Sequence, residues 1–204
     1  MIERYRAHAP IRTLSVQIGL NETEPPAVPG ADLVWVGRVD SQKSPHIAVM
    51  AAGLLGRRIH IVGPIFDSGY YRRHAKLFAS DHVQIAGELG GPAKTAAFAR
   101  ASTCVYTCGR SYVEAGVATL GESLRAGTPV AALAWRSGTC AEVGLCDATG
   151  AVAVVDPSST DEHAANALAQ AIATTDLMDA STVQAIGLER FDPATHFKAL
   201  ATRP

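Results

Sequence analysis

The sequence predicts an α/β fold: a doubly wound, Rossmann-like parallel sheet of about six strands, followed by C-terminal helices. Three observations predict it. Apolar runs of strand length recur along the chain, and each is apolar almost throughout, as in strands covered on both faces. Longer, Ala-rich stretches of helix length lie between them. Glycines directly follow several of the runs, at Gly37, Gly63, Gly87 and Gly109. Ligands bind beyond the carboxyl ends of the strands in such sheets, so these are the loops expected to carry function.

The elements follow in order. Expected strands are Leu33–Val36, Ile59–Val62, Val83–Ala86, Cys104–Thr107, Val130–Leu133 and Ala151–Val155. Expected helices are Ser44–Leu55, Tyr70–Ala79, Pro92–Ala101, Val117–Ala126 and Thr139–Leu145. Gly127-Thr128-Pro129 ends the fourth helix, because glycine suits a helix C-cap and proline cannot continue a helix. Ser159-Thr160-Asp161 has the composition of a helix cap and opens the last helices. Residues 1–32 are expected to form an N-terminal segment or linker, with Pro25-Pro26-Ala27-Val28-Pro29-Gly30 as an irregular connection and Leu14–Ile18 as a strand or interdomain segment. Residues 33–157 are the expected core, and 158–204 the helices of the same domain.

Composition narrows the functional classes. The 204 residues are 48% hydrophobic and 18% charged, with mean hydropathy +0.11, enough apolar content for one real core. The net charge of −1 gives no basic excess for nucleic acid, and no Lys/Arg-rich amphipathic face indicates membrane association. Apolar runs reach only strand length, and Met1-Ile2-Glu3-Arg4 opens without the apolar core of a signal peptide, so a cytoplasmic location is expected. Cys104, Cys108, Cys140 and Cys146 lack a Cys-x-x-Cys pair and are expected to be buried thiols in a reducing compartment. The histidines, among them His46, His60, His74 and His82, lack metal-ligand spacing and are expected to be structural; no metal is expected. There is no Gly-x-Gly-x-x-Gly after a strand, no Gly-x4-Gly-Lys-Ser/Thr and no Gly-x-Ser-x-Gly. This disfavours an NAD-type dehydrogenase, a P-loop NTPase and a hydrolase triad.

The run from Glu114 to Val130 is the most informative. Glu114 and Glu122 stand eight residues apart, the first in the loop before a helix and the second about a turn inside it. Gly116 loosens the backbone just before that helix. The helix start aims free N–H groups and a partial positive charge at the same spot. Carboxylates accept hydrogen bonds from vicinal diols, and the helix start accommodates phosphates. The arrangement suits a ligand with a central diphosphate and hydroxyl-rich rings at both ends. Arg38, directly after the first strand, and Lys43, on the loop to the first helix, supply a planar fork and a point charge for the same diphosphate.

These segments together resemble the donor-binding, C-terminal half of a retaining family 4 glycosyltransferase of the GT-B fold. Leu33-Val34-Trp35-Val36-Gly37-Arg38 with Lys43 resembles the family's opening strand, Gly-Arg and Lys-Gly. Ile59-His60-Ile61-Val62-Gly63 resembles its second strand, and Val83-Gln84-Ile85-Ala86-Gly87 its third. Glu114 to Val130 resembles the Glu-x7-Glu stretch, and Arg190-Phe191 the closing Arg-Phe-Ser segment. The likeness runs from residue 33 to about 200. The chain departs from the pattern at Lys43-Ser44-Pro45, where the family has Lys-Gly. It departs again at Glu114-Ala115-Gly116-Val117-Ala118, which lacks the family's aromatic, and at Glu122-Ser123, where the family has Glu-Ala.

The resemblance implies a UDP- or GDP-linked sugar as donor substrate. It implies contacts from Arg38 and Lys43 to the diphosphate, from Glu114 to the transferred sugar and from Glu122 to the ribose. Backbone groups of Gly116, Val117, Ala118 and Thr119 would cradle phosphate. Gly37 and Gly63 would line the cleft, and Gly87, Glu88 and Leu89 would meet the base. It also implies an acceptor domain as partner, from another chain or a preceding segment, because some 30 residues before Leu33 are too few for a doubly wound half of roughly 100 or more. The alternative is a non-catalytic nucleotide- or sugar-nucleotide-binding module.

Overall fold

The structure, a computed structural model, describes residues 29–112, 118–192 and 194. Six strands form one sheet: β1 (Leu33–Val36), β2 (Ile59–Val62), β3 (Val83–Gly87), β4 (Thr103–Tyr106), β5 (Val130–Ala134) and β6 (Gly150–Val154). Their spatial order is β3-β2-β1-β4-β5-β6, and every neighbouring pair is parallel. The predicted doubly wound sheet is thus the observed one. Strand order reverses between β1 and β4, the switch point at whose carboxyl edge doubly wound sheets bind ligands.

Helices cover both faces. The first, α1 (Pro45–Leu54), is followed by α2 (Ser68–Arg73), α3 (Ala75–Phe78), α4 (Gly91–Arg100), α5 (Ala118–Arg125), α6 (Cys140–Gly144), α7 (Asp161–Thr175) and α8 (Ala180–Arg190). One layer holds α1, α3 and α7; the other holds α4, α5, α6 and α8. Pro45 sits in the first turn of α1, where its missing N–H breaks no helical bond. Ile47, Ala48, Val49, Ala51 and Ala52 are buried, as befits a helix enclosed by the sheet and α7. Thr160 caps α7 by accepting the N–H of His163 at 3.2 Å, as its sequence predicts. Gly127, at φ +80°, closes the turn after α5. The buried core centres on Trp35, Ile47, Ile61, Leu124, Leu133 and Leu168. Phe191 is buried beside them, and Arg190 donates to the carbonyl of Gly144, so the closing Arg-Phe pair anchors the last helix.

Three expectations need correction. The helix expected over Tyr70–Ala79 is two, broken at His74, whose backbone (φ −106°, ψ 16°) leaves the helical region while its ring stacks on His46 at 4.2 Å. The third strand is not covered on both faces. At the sheet edge, β3 alternates half-buried Val83 and Ile85 with exposed Gln84 and Ala86. A groove of about 730 Å³ runs between β2, β3 and α4, past His60, Gln84 and Ala97. The thiols are not uniformly buried either. Cys104 and Cys108 are, and burial pushes the Cys104 thiol up to about 12, but Cys146 is exposed. Among the described residues, no helix is long and apolar enough to cross a membrane.

Candidate functional site

Four loops, those after β1, β2, β3 and β4, meet at the carboxyl edge of the sheet, and their backbones touch. Gly37 donates its N–H to Val62 O at 2.9 Å, and Gly63 donates to Gly87 O at 2.7 Å. A Cβ on Gly63 would lie 1.8 Å from the carbonyl oxygen of Gly37, and φ there is +138°, so no other residue fits. Gly109, after β4, donates to Gln42 O at 2.8 Å, and a Cβ there would meet Ser41 O at 2.5 Å. The glycines at the strand ends therefore let the loops pack backbone to backbone. Gly37, Gly63 and Gly87 do so as a continuous row.

The β1–α1 loop is a compact turn built around Asp40, which is 5% exposed. Its Oδ1 accepts the N–H of Lys43 at 2.9 Å, its carbonyl accepts the N–H of Ser44 at 2.9 Å, and its Oδ2 lies 3.4 Å from Arg38 Nη2. Arg38 also donates to Gln42 Oε1 at 3.0 Å and lies over the Phe66 ring, 4.6 Å from its centroid. Lys43 Nζ sits 4.9 Å from the centroid of Tyr112, in the segment that leaves β4. Two strands brace the turn from beneath. Trp35 of β1 donates its indole N–H to Thr107 Oγ1 at 2.9 Å, and Thr107 donates to Lys43 O at 2.7 Å. Both cations thus stand at the point where strand order reverses.

Ser44 takes the place of the glycine that the family pattern has after Lys43. It is the non-glycine residue with positive φ among those described, at φ 46° and ψ 49°. The turn therefore keeps a left-handed backbone that glycine would adopt more readily. Ser44 Oγ donates to Ser41 O at 2.8 Å and closes the turn.

Glu122 lies one turn inside α5, in the position expected. It is not joined to Arg38 or Lys43. Lys94 of α4 reaches Glu122 Oε1 at 2.5 Å, with both side chains about three-quarters buried. Ala118 and Thr119 open α5, exposed and half-buried respectively. Glu88 is exposed beyond β3. Half-buried Leu89 lines the mouth of the β3–α4 groove, which reaches neither Arg38, Lys43 nor Glu122. The carboxyl edge between β1 and β4 is therefore distinct from that groove. Glu114, Gly116 and Val117 lie outside the described residues.

A second network lies at the same edge, between the first turn of α1 and the segment after β4. His46, in the first turn of α1, meets Tyr70 through Nδ1 at 2.6 Å and Asp161 through Nε2 at 3.0 Å. A carboxylate only accepts, so Nε2 carries the proton in neutral His46 and the Tyr70 hydroxyl donates to Nδ1. Arg110, after β4, donates to Asp161 Oδ1 at 2.7 Å and covers the Trp135 ring, 4.2 Å from its centroid. Burial holds His46 below the ordinary histidine pKa, against the raising effect of its bond to Asp161. Asp161 is lowered because its bonds from Arg110 and His46 outweigh desolvation. His60 bonds Asp32 and His82 bonds Val49 O, so each of these histidines has a structural partner. Among the described residues no His/Cys/Asp/Glu group has the form of a metal site. Neither Lys94 nor the His46 network was legible in the sequence. Their partners stand 28 and 115 residues away, and no local pattern announces such pairs.

No protein-family model matches the chain, and no curated protein does. Its fold, however, recurs in solved glycosyltransferases. AviGT4, a glycosyltransferase involved in avilamycin A biosynthesis, is 20% identical with a TM-score of 0.67, over 85% of this chain and 49% of that one. WaaG, a glycosyltransferase involved in lipopolysaccharide biosynthesis, is 18% identical with a TM-score of 0.59, over 83% and 46%. A UDP-forming α,α-trehalose-phosphate synthase from Burkholderia xenovorans is 14% identical with a TM-score of 0.52, over 84% and 44%. The chain thus matches just under half the length of each. Its α/β domain has the architecture of one half of the GT-B fold.

Proposed function

We propose that this domain binds the nucleotide-sugar donor of a retaining glycosyltransferase similar to family 4, with a UDP- or GDP-linked sugar as substrate. The observation that carries the reading is the placement of Arg38 and Lys43. The β1–α1 turn and the β4 end hold both cations at the carboxyl edge between β1 and β4, where doubly wound sheets take nucleotides.

The chemistry follows from charge. As the bond between the sugar C1 and the diphosphate breaks, the electron pair stays on the phosphate oxygen. Arg38 and Lys43 stabilise that growing negative charge in a fixed geometry. Glu122 takes the ribose diol, Glu114 the transferred sugar, and the start of α5 the phosphates. The backbone beyond β3, with Glu88 and Leu89, meets the base. Transfer to an acceptor hydroxyl further needs an acceptor-binding domain, which positions the nucleophile and excludes water. A cytoplasmic location, where nucleotide-sugars and reduced thiols coexist, belongs to the same reading.

The test is a calorimetric titration of the chain with UDP, GDP and their glucose and mannose conjugates. Saturable binding of one nucleotide family is expected. Binding of none would overturn the proposal, and equal binding of a nucleoside triphosphate unrelated to sugar transfer would favour a general nucleotide-binding module.

A further inference from the structure

We propose that Lys94 is the positioning residue for the ribose-binding carboxylate. It holds Glu122 in one rotamer, so that the carboxylate is set in advance to grip a vicinal diol. The inference rests on the assignment of Glu122 to the ribose. Lys94 stands in the first turn of α4, directly beyond the β3 loop, and Glu122 one turn into α5, beyond β4. Both therefore lie toward the carboxyl edge of the sheet. A cation in a first turn works against the helix dipole, and α4 has no acidic residue there to offset it. Lys94 thus does not serve its own helix; its partner is on the next one.

The geometry leaves the carboxylate available. Lys94 Nζ engages Glu122 Oε1. An ionised carboxylate has about four acceptor sites. One ammonium contact therefore leaves Oε2 and a share of Oε1 for two hydroxyls. Fixing a glutamate in advance removes much of the rotamer entropy that ligand binding would otherwise cost.

The experiment titrates wild type, Lys94→Met, Lys94→Arg and Glu122→Gln with whichever of UDP and GDP binds more tightly, and with its 2′-deoxy counterpart. Lys94→Met is expected to weaken the ribonucleotide about tenfold, the scale of one charge-assisted hydrogen bond, and the 2′-deoxynucleotide by less than about twofold. Lys94→Arg restores ribonucleotide affinity. A purely structural bridge between α4 and α5 would not discriminate between the two sugars. Equal losses for both nucleotides, or no loss with Lys94→Met while Glu122→Gln loses ribonucleotide affinity, would overturn the inference and leave the donor-site reading intact. Wild type binding neither nucleotide would overturn both.

Discussion

Thr107 donates its hydroxyl hydrogen to the main-chain carbonyl of Lys43 at 2.7 Å while accepting the indole N–H of Trp35 at 2.9 Å. One buried hydroxyl at the end of β4 thus ties the core of β1 to the turn that presents the cations. Thr107→Val keeps the shape but leaves the Trp35 N–H without its acceptor. It is expected to lower stability by about 1–3 kcal/mol and to weaken nucleotide binding, whereas Thr107→Ser should retain most of both. Urea denaturation and titration of the same variants check this. Unchanged stability in Thr107→Val would show that the hydroxyl is not a brace.

Ser44 is expected to reveal a backbone conformation that the turn imposes. Ser44→Ala keeps the left-handed strain and loses the bond to Ser41 O. Ser44→Gly loses the same bond but relieves the strain. The glycine variant should therefore be more stable than the alanine variant by about 1 kcal/mol. Thermal melts of the two variants measure the difference; alanine equal to or above glycine would contradict it.

Acid is expected to destabilise the domain through His46. Burial, the largest influence, lowers the pKa of His46 in the fold, and likewise that of His74 stacked on it, where Arg73 adds to the effect. In the unfolded chain each returns to about 6.5. As pH falls through that value the unfolded chain takes up protons that the fold refuses, so stability drops below about pH 6.5 until the lowered folded pKa is reached. The depressed Asp161 acts in the same direction but lower. Its contribution is present above the ordinary carboxylate range and is lost as pH falls through the folded pKa. Wild type should be less stable at pH 5.5 than at 7.5, and His46→Gln should show a smaller drop between the two. An undiminished drop in the variant would remove His46 as the source.

The two glutamates of the Glu-x7-Glu stretch are expected to differ. Glu122→Gln should lower affinity for both the nucleotide and its sugar conjugate, because ribose is common to the two. Glu114→Gln should mainly affect the conjugate. Equal losses for both ligands at Glu114 would place that residue at the ribose or phosphate, or outside the site.

What was legible in the sequence was what local pattern encodes. Short apolar runs punctuated by glycines such as Gly37, Gly63 and Gly109 specify a parallel sheet and the close-packed loops at its carboxyl edge, because a buried strand and a tight backbone approach each leave a local signature. Thr160 announced its cap in the same way. The break at His74 was not legible, since no helix-breaking residue marks it and the His46 ring stacked on it comes from 28 residues away. The open face of β3 was not either. Val83 and Ile85 read as core residues, and only the strand's place at the sheet edge exposes its other face. Glu122 was correctly placed inside its helix, but its ion partner belongs to another helix and no spacing rule points to Lys94.

The proposed diphosphate site on the β1–α1 turn is probed by Lys43→Ala. Isothermal titration of wild type and variant with UDP and GDP, at low and at physiological salt, is the measurement. Removing one charge-assisted contact should cost roughly 1.5–3 kcal/mol of affinity, and added salt should weaken wild-type binding more than that of the variant. Equal affinities for the two proteins, at both salt concentrations, would take Lys43 out of the site and leave the turn without a diphosphate-binding role.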